Sequence, residues 1–166
     1  MSEGVLPEER LVEKWLPLAE TNINSLIEMT FRRGRGKFKE DFAKIFGVKP
    51  RALSLGTPQP SNIHTWWARR PCSAARVLTA GAVLPADTSQ DIFMDIVGFS
   101  EVKFMARQRE SRLLPLLINT KPKIDELRHI IGSRYDTAVI VDPMAGGGSI
   151  PLEALRLGFR TIAMEY

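Results

Sequence analysis

The stretch VIVDPMAGGGSIPLEAL, residues 139–155, decides the fold that the sequence predicts. An apolar, β-branched run over residues 137–141 predicts a strand and is followed by Asp142, and three consecutive glycines precede a helix-forming run over residues 150–157. Glycine has no Cβ, so such a turn can adopt positive φ angles and approach a ligand closely. A second apolar run, residues 161–164, ends in Glu165. The pattern therefore predicts a strand, a glycine loop, a helix and a second, parallel strand, which together open a nucleotide-type cofactor site.

The chain before this unit is predicted to be mostly helix and loop. Helical spacing of apolar residues predicts helices within residues 9–20 (limited by Pro17), 24–29, 39–46, 71–84, 89–97, 101–114 and 122–131. The predicted fold class is α/β in three parts. Residues 1–60 form a mixed helix and loop region with a basic segment, residues 61–135 a helical region, and residues 136–166 the first β-α-β of a Rossmann-like sheet.

Two strands do not complete a Rossmann-like sheet, because parallel sheets normally have more strands and are covered on both faces. We therefore expect the remaining strands to lie on a C-terminal half or a separate subunit. The other interpretations are that this part was lost, leaving a remnant, or that the chain is a fragment of a longer protein.

The composition is that of an ordinary soluble protein, with 44% hydrophobic and 25% charged residues in a chain of 166. Its single cysteine, Cys72, excludes an internal disulfide and a cysteine-cluster metal site, and fits a reducing compartment. No apolar run approaches the ~20 residues needed to span a membrane, and the polar N-terminus is not a signal peptide. We expect a cytoplasmic protein with no membrane partner. The net charge of +4 is compatible with a nucleic-acid partner.

The glycine turn has several interpretations. A tight turn without a ligand is one of them. A phosphate-binding P-loop would need a lysine after the glycines, and none follows them. A dinucleotide site needs G-x-G-x-x-G; Gly146 and Gly148 fit this pattern, but Pro151 stands at the third position, which disfavours NAD.

The series D-P-x-A-G-x-G resembles instead the first motif of S-adenosylmethionine-dependent DNA amino-methyltransferases. The resemblance implies that Asp142, Ala145, Gly146 and Gly148 line the cofactor and that Glu165 accepts hydrogen bonds from its ribose hydroxyls. A carboxylate suits that role because its two oxygens can accept from two adjacent hydroxyls.

A second motif, NIHTWWARRP, occupies residues 62–71. One interpretation is a core aromatic pair followed by an exposed basic helix start; the other is an aromatic wall beside a cofactor, with guanidinium groups for a carboxylate or phosphate. The series H-x-W-W-A-R-R-P, followed by A-A-R-V-L, resembles the N-terminal block of adenine-specific DNA methylases that carry the domain DUF1156. In those proteins it precedes a D-P-x-A-G-G-G-S-I-P-L-E-A motif, as it does here. The aromatic-wall interpretation places Trp66 beside the cofactor. The resemblance of Arg70 and Pro71 to the K/R-P segment of related amino-methyltransferases implies that they lie at the cofactor's methionine end.

A basic segment precedes both motifs and has two interpretations. Its cations are Arg32, Arg33, Arg35 and Lys37, separated by glycines. They form either a solvated loop or a contact with DNA phosphates.

No catalytic residue is predicted. Amino-methyltransferases of this kind carry [DNS]-P-P-[YFW], which binds the target amine and stacks on the flipped base. This sequence contains no Pro-Pro pair.

The resemblance as a whole implies the N-terminal part of an S-adenosylmethionine-dependent DNA methyltransferase, adenine-N6-specific, acting in restriction-modification or phage defence. Such a chain would be inactive by itself. The alternatives are a non-catalytic split-gene subunit or remnant that binds DNA or a catalytic partner, and a methyltransferase that acts on RNA.

Overall fold

The computed structural model describes residues 9–29, 37–47, 70–108 and 115–165. These residues are mainly helical, with a small two-stranded parallel sheet near the end of the chain. The helices are α1 (Leu11–Lys14), α2 (Leu18–Met29), α3 (Lys37–Phe46), α4 (Cys72–Val83), α5 (Gln90–Val97), α6 (Phe99–Gln108), a 3-10 turn at Leu117–Asn119, α7 (Ile124–Ile131) and α8 (Arg134–Thr137). Strand β1 (Val139–Asp142), helix α9 (Ser149–Arg156) and strand β2 (Arg160–Ala163) follow.

The strand, helix and strand predicted around the glycine turn are confirmed. Strands β1 and β2 pair in parallel, from Val139 opposite Arg160 to Asp142 opposite Ala163. Helix α9 connects the two strands and packs on both of them.

The prediction of the first strand from residue 137 was wrong at its beginning. Residues 134–137 form α8, and the Thr137 hydroxyl donates to the carbonyl of Arg134 within that helix. A threonine hydroxyl that bonds back along a helix offsets the residue's strand preference. Strand β1 therefore begins two residues later than expected.

Pro17 separates the first two helices, as its ring requires. Helix α1 ends at Lys14, and α2 begins at Leu18, directly after Pro17. Helix α2 is therefore longer than the helix predicted at residues 24–29. Proline has no backbone N–H to lose in a first helical turn, and its carbonyl accepts from Thr21 N at 2.9 Å. The same residue thus limits one helix and opens another.

Helix α4 lies at the centre of the structure. It packs against α1, α2, α5, the 3-10 turn and α9. At Gly81 of α4 an added Cβ would lie 2.9 Å from Cδ2 of Leu16, which could move aside, and 3.5 Å from Val12 of α1, so α1 lies close to the backbone of α4 here. The predicted helix at residues 71–84 is confirmed, with Pro71 preceding the helix and Leu84 following it.

The large buried side chains form one core around α4 and α5. Phe93, Ile96, Phe99 and Leu127 are fully buried within it. Helices α5 and α7 occupy the predicted positions and end at glycines 98 and 132. Helix α6 begins at Phe99, two residues before its predicted start; residues 109–114 of that prediction lie outside the described residues.

One face of the two-stranded sheet has no covering element among the residues that the structure describes. Helix α9 covers the other face, while the side chains of Val139, Val141 and Ile162 remain 40%, 54% and 51% exposed. In parallel sheets both faces are normally covered, so this apolar face is unusual for β-structure of this type. Among the residues described, no helix has the length and apolar character needed to cross a membrane.

Candidate functional site

The glycine loop, residues 143–148, connects β1 to α9 and depends on two left-handed residues. Gly146 has φ +51° and Gly148 has φ +72°, backbone conformations that residues other than glycine rarely adopt. A Cβ at Gly148 would meet nothing within 4 Å, so the requirement there is backbone conformation rather than space. The Gly148 N–H donates to the Ala145 carbonyl at 2.8 Å, which closes the turn before α9.

Asp142 ends β1 with a buried carboxylate at the base of this loop. It is only 7% exposed. Its Oδ1 accepts from the Met144 N–H at 3.2 Å, whereas its Oδ2 is buried and has no hydrogen-bond partner among the described residues. A buried acceptor without a donor is costly, so Oδ2 is a place where a ligand N–H or O–H would be favourable.

The end of β2 contacts the glycine loop through three consecutive hydrogen bonds. Met164 N donates to the Asp142 carbonyl, and Ala145 N donates to the Met164 carbonyl, each at 2.9 Å. Gly146 N then donates to Glu165 Oε2 at 2.5 Å, although the two residues are 19 positions apart. The structure thus brings together the predicted cofactor residues of both strand ends.

The segment before α4 reaches the same region. Ser149, the first residue of α9, donates from its hydroxyl to the Arg70 carbonyl at 2.5 Å. The predicted site residues Arg70 and Pro71 therefore lie next to the end of the glycine loop, with the Arg70 side chain exposed. Trp66, like the rest of residues 61–69, lies outside the described residues, so its predicted role stays a prediction.

A buried ion pair joins α4 to α9. Arg76 Nε and Glu153 Oε2 are 2.6 Å apart, and both side chains are 0% exposed. Burial lowers the pKa of Arg76, and the carboxylate of Glu153 opposes that effect. Charged groups this deep are tolerated only when they are paired and hydrogen-bonded.

Further hydrogen bonds surround the pair. Arg76 Nη1 donates to the Val97 carbonyl and to Thr120 Oγ1, both at 2.9 Å, and Nη2 donates to the Thr120 carbonyl at 3.3 Å. Arg156 Nη1 donates to Glu153 Oε1 at 2.8 Å. The network fixes α9, and with it the loop that precedes α9, to α4, the end of α5 and the 3-10 turn.

Sequence reasoning missed this network, although both residues of the ion pair stand in the quoted motifs. Arg76 is the arginine of A-A-R-V-L, and Glu153 is the glutamate of I-P-L-E-A. The available signal was a lone charged residue within an apolar run of each helix. Their separation of 77 residues gave no indication that the two charges meet.

Glu28 is a second buried carboxylate that the sequence did not reveal. It lies on α2, is 1% exposed and accepts from the backbone N–H groups that begin α4. Cys72 N is 2.9 Å from Oε1, and Ser73 N is 3.3 Å from Oε2. Pro71 supplies no side-chain cap, so this distant carboxylate satisfies the first N–H groups of the helix and its positive end.

The structure does not test the predicted nucleic-acid residues. Arg32, Arg33 and Arg35 lie outside the described residues, and Lys37 is the first residue of α3, with its side chain outside the description. Their contact with phosphate remains a prediction.

Comparison with known proteins gives one match. The family model "Protein of unknown function (DUF1156)" matches residues 51–103, which include α4, α5 and the first half of α6. No curated protein and no solved structure matches the chain. The resemblance to DUF1156 is thus confirmed over those residues. Within the matched segment, Arg76 pairs with Glu153 beyond it, so the matched segment and the glycine-loop unit pack as one structure.

Proposed function

We propose that this chain is the N-terminal part of an S-adenosylmethionine-dependent DNA methyltransferase, adenine-N6-specific, and that it contributes cofactor-binding elements. The β1–α9–β2 unit would be the first part of a Rossmann-like sheet. The observation that supports this proposal best is the meeting of Asp142, the glycine loop and Glu165 at the carboxyl ends of two parallel strands. Ligands of open α/β sheets bind at that edge.

The groups present fit the proposed cofactor. Its ammonium group is a donor for the unpartnered Oδ2 of Asp142, and its carboxylate is an acceptor for the exposed guanidinium of Arg70. Its ribose hydroxyls are donors for the exposed carboxylate of Glu165. When bound, S-adenosylmethionine would supply an electrophilic methyl group on its sulfonium, and these residues would hold and orient it.

The target base would be bound elsewhere. The sequence has no Pro-Pro pair with which to hold a flipped base, so this chain alone is expected to transfer no methyl group. The exposed face of Val139, Val141 and Ile162 supports a partner, either a C-terminal catalytic half or a separate subunit, that carries further strands and a covering layer. That partner would provide the base pocket.

Two other functions compete with this one. A non-catalytic subunit that binds DNA or a catalytic partner is favoured by the missing Pro-Pro pair, and a partner sequence with [DN]-P-P-[YFW] would argue against it. The second alternative is a methyltransferase that acts on RNA, in which the basic segment, residues 32–37, would contact RNA instead of DNA. Comparing the affinities for DNA and RNA of the same sequence at one salt concentration distinguishes them, because phosphate contacts are common to both and their strength depends on salt.

Saturation-transfer NMR with S-adenosylhomocysteine tests the cofactor assignment, because it detects weak binding. The parent chain should saturate the ribose and methionine protons of the ligand. Gly146→Asp should abolish the effect, because the added carboxylate repels the ligand's carboxylate and occupies the loop, while aspartate tolerates the left-handed backbone there. Circular dichroism checks that the variant is folded. Equal saturation of NAD, or no saturation of S-adenosylhomocysteine, would contradict the proposal.

A further inference from the structure

We propose that Glu165 is a positioning residue that holds the glycine loop in its ligand-ready shape through the N–H of Gly146. The inference deepens the proposed function and rests on it only for the ligand that the loop receives. The holding itself is a property of the chain without a ligand.

The hydrogen bonds between the strand ends support this role. Regular pairing of β1 and β2 ends at Asp142 and Ala163. Two backbone hydrogen bonds carry the pairing onward, from Met164 N to Asp142 O and from Ala145 N to Met164 O. The next donor, Gly146 N, bonds to the side chain of Glu165. The carboxylate thereby extends the pairing by one step into the loop.

The loop needs such an anchor because of its composition. Three consecutive glycines lose more conformational freedom on ordering than any other residues would. Gly146 must in addition hold φ +51°, at the point where the chain turns away from β2. A hydrogen bond to an ionised carboxylate is stronger than one between neutral groups. A glycine loop that is already ordered before binding loses less conformational entropy when the ligand binds.

Two substitutions separate this role from ligand binding. Glu165→Ala removes the acceptor of Gly146 N–H. Glu165→Gln keeps one side-chain carbonyl that can still accept it, but loses the negative charge. Glu101→Ala is a matched control, because Glu101 is an exposed carboxylate on α6, a helix that packs against α3 and α5.

Solvent-exchange NMR on the whole chain, without ligand, measures the exchange of the Gly146 amide. Loss of the bond in Glu165→Ala should accelerate this exchange by roughly tenfold to a hundredfold. Amides of α4 should keep their parent rates, and Glu165→Gln should exchange more slowly than Glu165→Ala. Parent-like exchange of Gly146 in Glu165→Ala would overturn the proposal, as would an equal acceleration in Glu101→Ala.

The experiment separates the two proposals because no cofactor is present. If the exchange result is as expected but S-adenosylhomocysteine does not bind, the anchor stands and the cofactor assignment fails. If the ligand binds while exchange at Gly146 is unaffected by Glu165→Ala, the cofactor assignment stands and the anchor fails.

Discussion

Replacing Glu153 by leucine should destabilise the chain more than any surface substitution. The change leaves the guanidinium of Arg76 fully buried and without its negative partner. The neutral acceptors from Val97 and Thr120 remain, but they carry no compensating charge. Arg156 also loses an acceptor, although its side chain is 26% exposed and can bond to water.

The magnitude follows from this burial. Removing one partner of a buried pair typically costs about 3–5 kcal/mol, a large part of the roughly 5–15 kcal/mol that holds a domain folded. At about 2–4 °C per kcal/mol for a chain of this size, the melting temperature of Glu153→Leu should fall by roughly 6–20 °C.

Urea denaturation followed by circular dichroism measures the free energy of unfolding. The double variant Arg76→Met/Glu153→Leu removes both charges and should recover about 2 kcal/mol or more relative to Glu153→Leu, because a neutral apolar pair replaces an isolated charge. The matched control is Glu9→Leu, which breaks the exposed pair with Lys14 and should cost less than about 1 kcal/mol. A loss in Glu153→Leu no larger than in Glu9→Leu would refute the reasoning.

Three further predictions concern single side chains. Glu28→Ala should lower the free energy of unfolding by about 1–2 kcal/mol in urea denaturation, because it leaves the first N–H groups of α4 without their acceptor, and Glu28→Gln should lose less. Burial raises the pKa of Tyr135, whose hydroxyl donates to Leu157 O at 2.7 Å. The protonated Tyr135 hydroxyl therefore contributes fully to the free energy of unfolding below the ordinary pKa of about 10, and this contribution is lost as pH rises through the higher pKa of the folded state. Denaturation at about pH 9 and pH 11 should show that Tyr135→Phe loses less stability over this interval than the parent. An equal loss would contradict this. In calorimetry with the catalytic partner present, Glu165→Ala should weaken S-adenosylhomocysteine by roughly tenfold to a hundredfold; unchanged affinity would make Glu165 a surface charge.

The sequence predicts the strand–loop–helix–strand unit well because its signals are local. The β-branched run before Asp142 and the glycines at 146 and 148 specify backbone conformations that neighbouring residues determine. Parallel pairing of β1 and β2 could then be expected, because a helix that connects two strands is the usual crossover between parallel neighbours. The meeting of Glu165 with the loop could also be expected, since both lie at the carboxyl ends of adjacent strands.

The supporting network could not be predicted, because its partners meet only after packing. Arg76 and Glu153 each stand in an apolar helical run, where a charge is usually exposed. Glu28 caps a helix that begins 44 residues later in the chain. Such contacts depend on which helix faces meet, and periodicity does not specify that. The first strand was predicted to begin at Thr137 because threonine favours β-structure. The sequence pattern did not indicate that its hydroxyl donates to the Arg134 carbonyl within α8.

The central claim, that the ends of β1 and β2 form part of an S-adenosylmethionine site, is tested most directly by titrating the isotope-labelled chain with S-adenosylhomocysteine. Amide shifts in two-dimensional NMR report weak binding residue by residue. The largest shifts should fall on Gly146, Gly148 and Glu165, and Asp142→Leu should abolish them while the α4 amides stay unchanged. Absence of shifts at millimolar ligand, or shifts confined to residues away from the glycine loop, would contradict it.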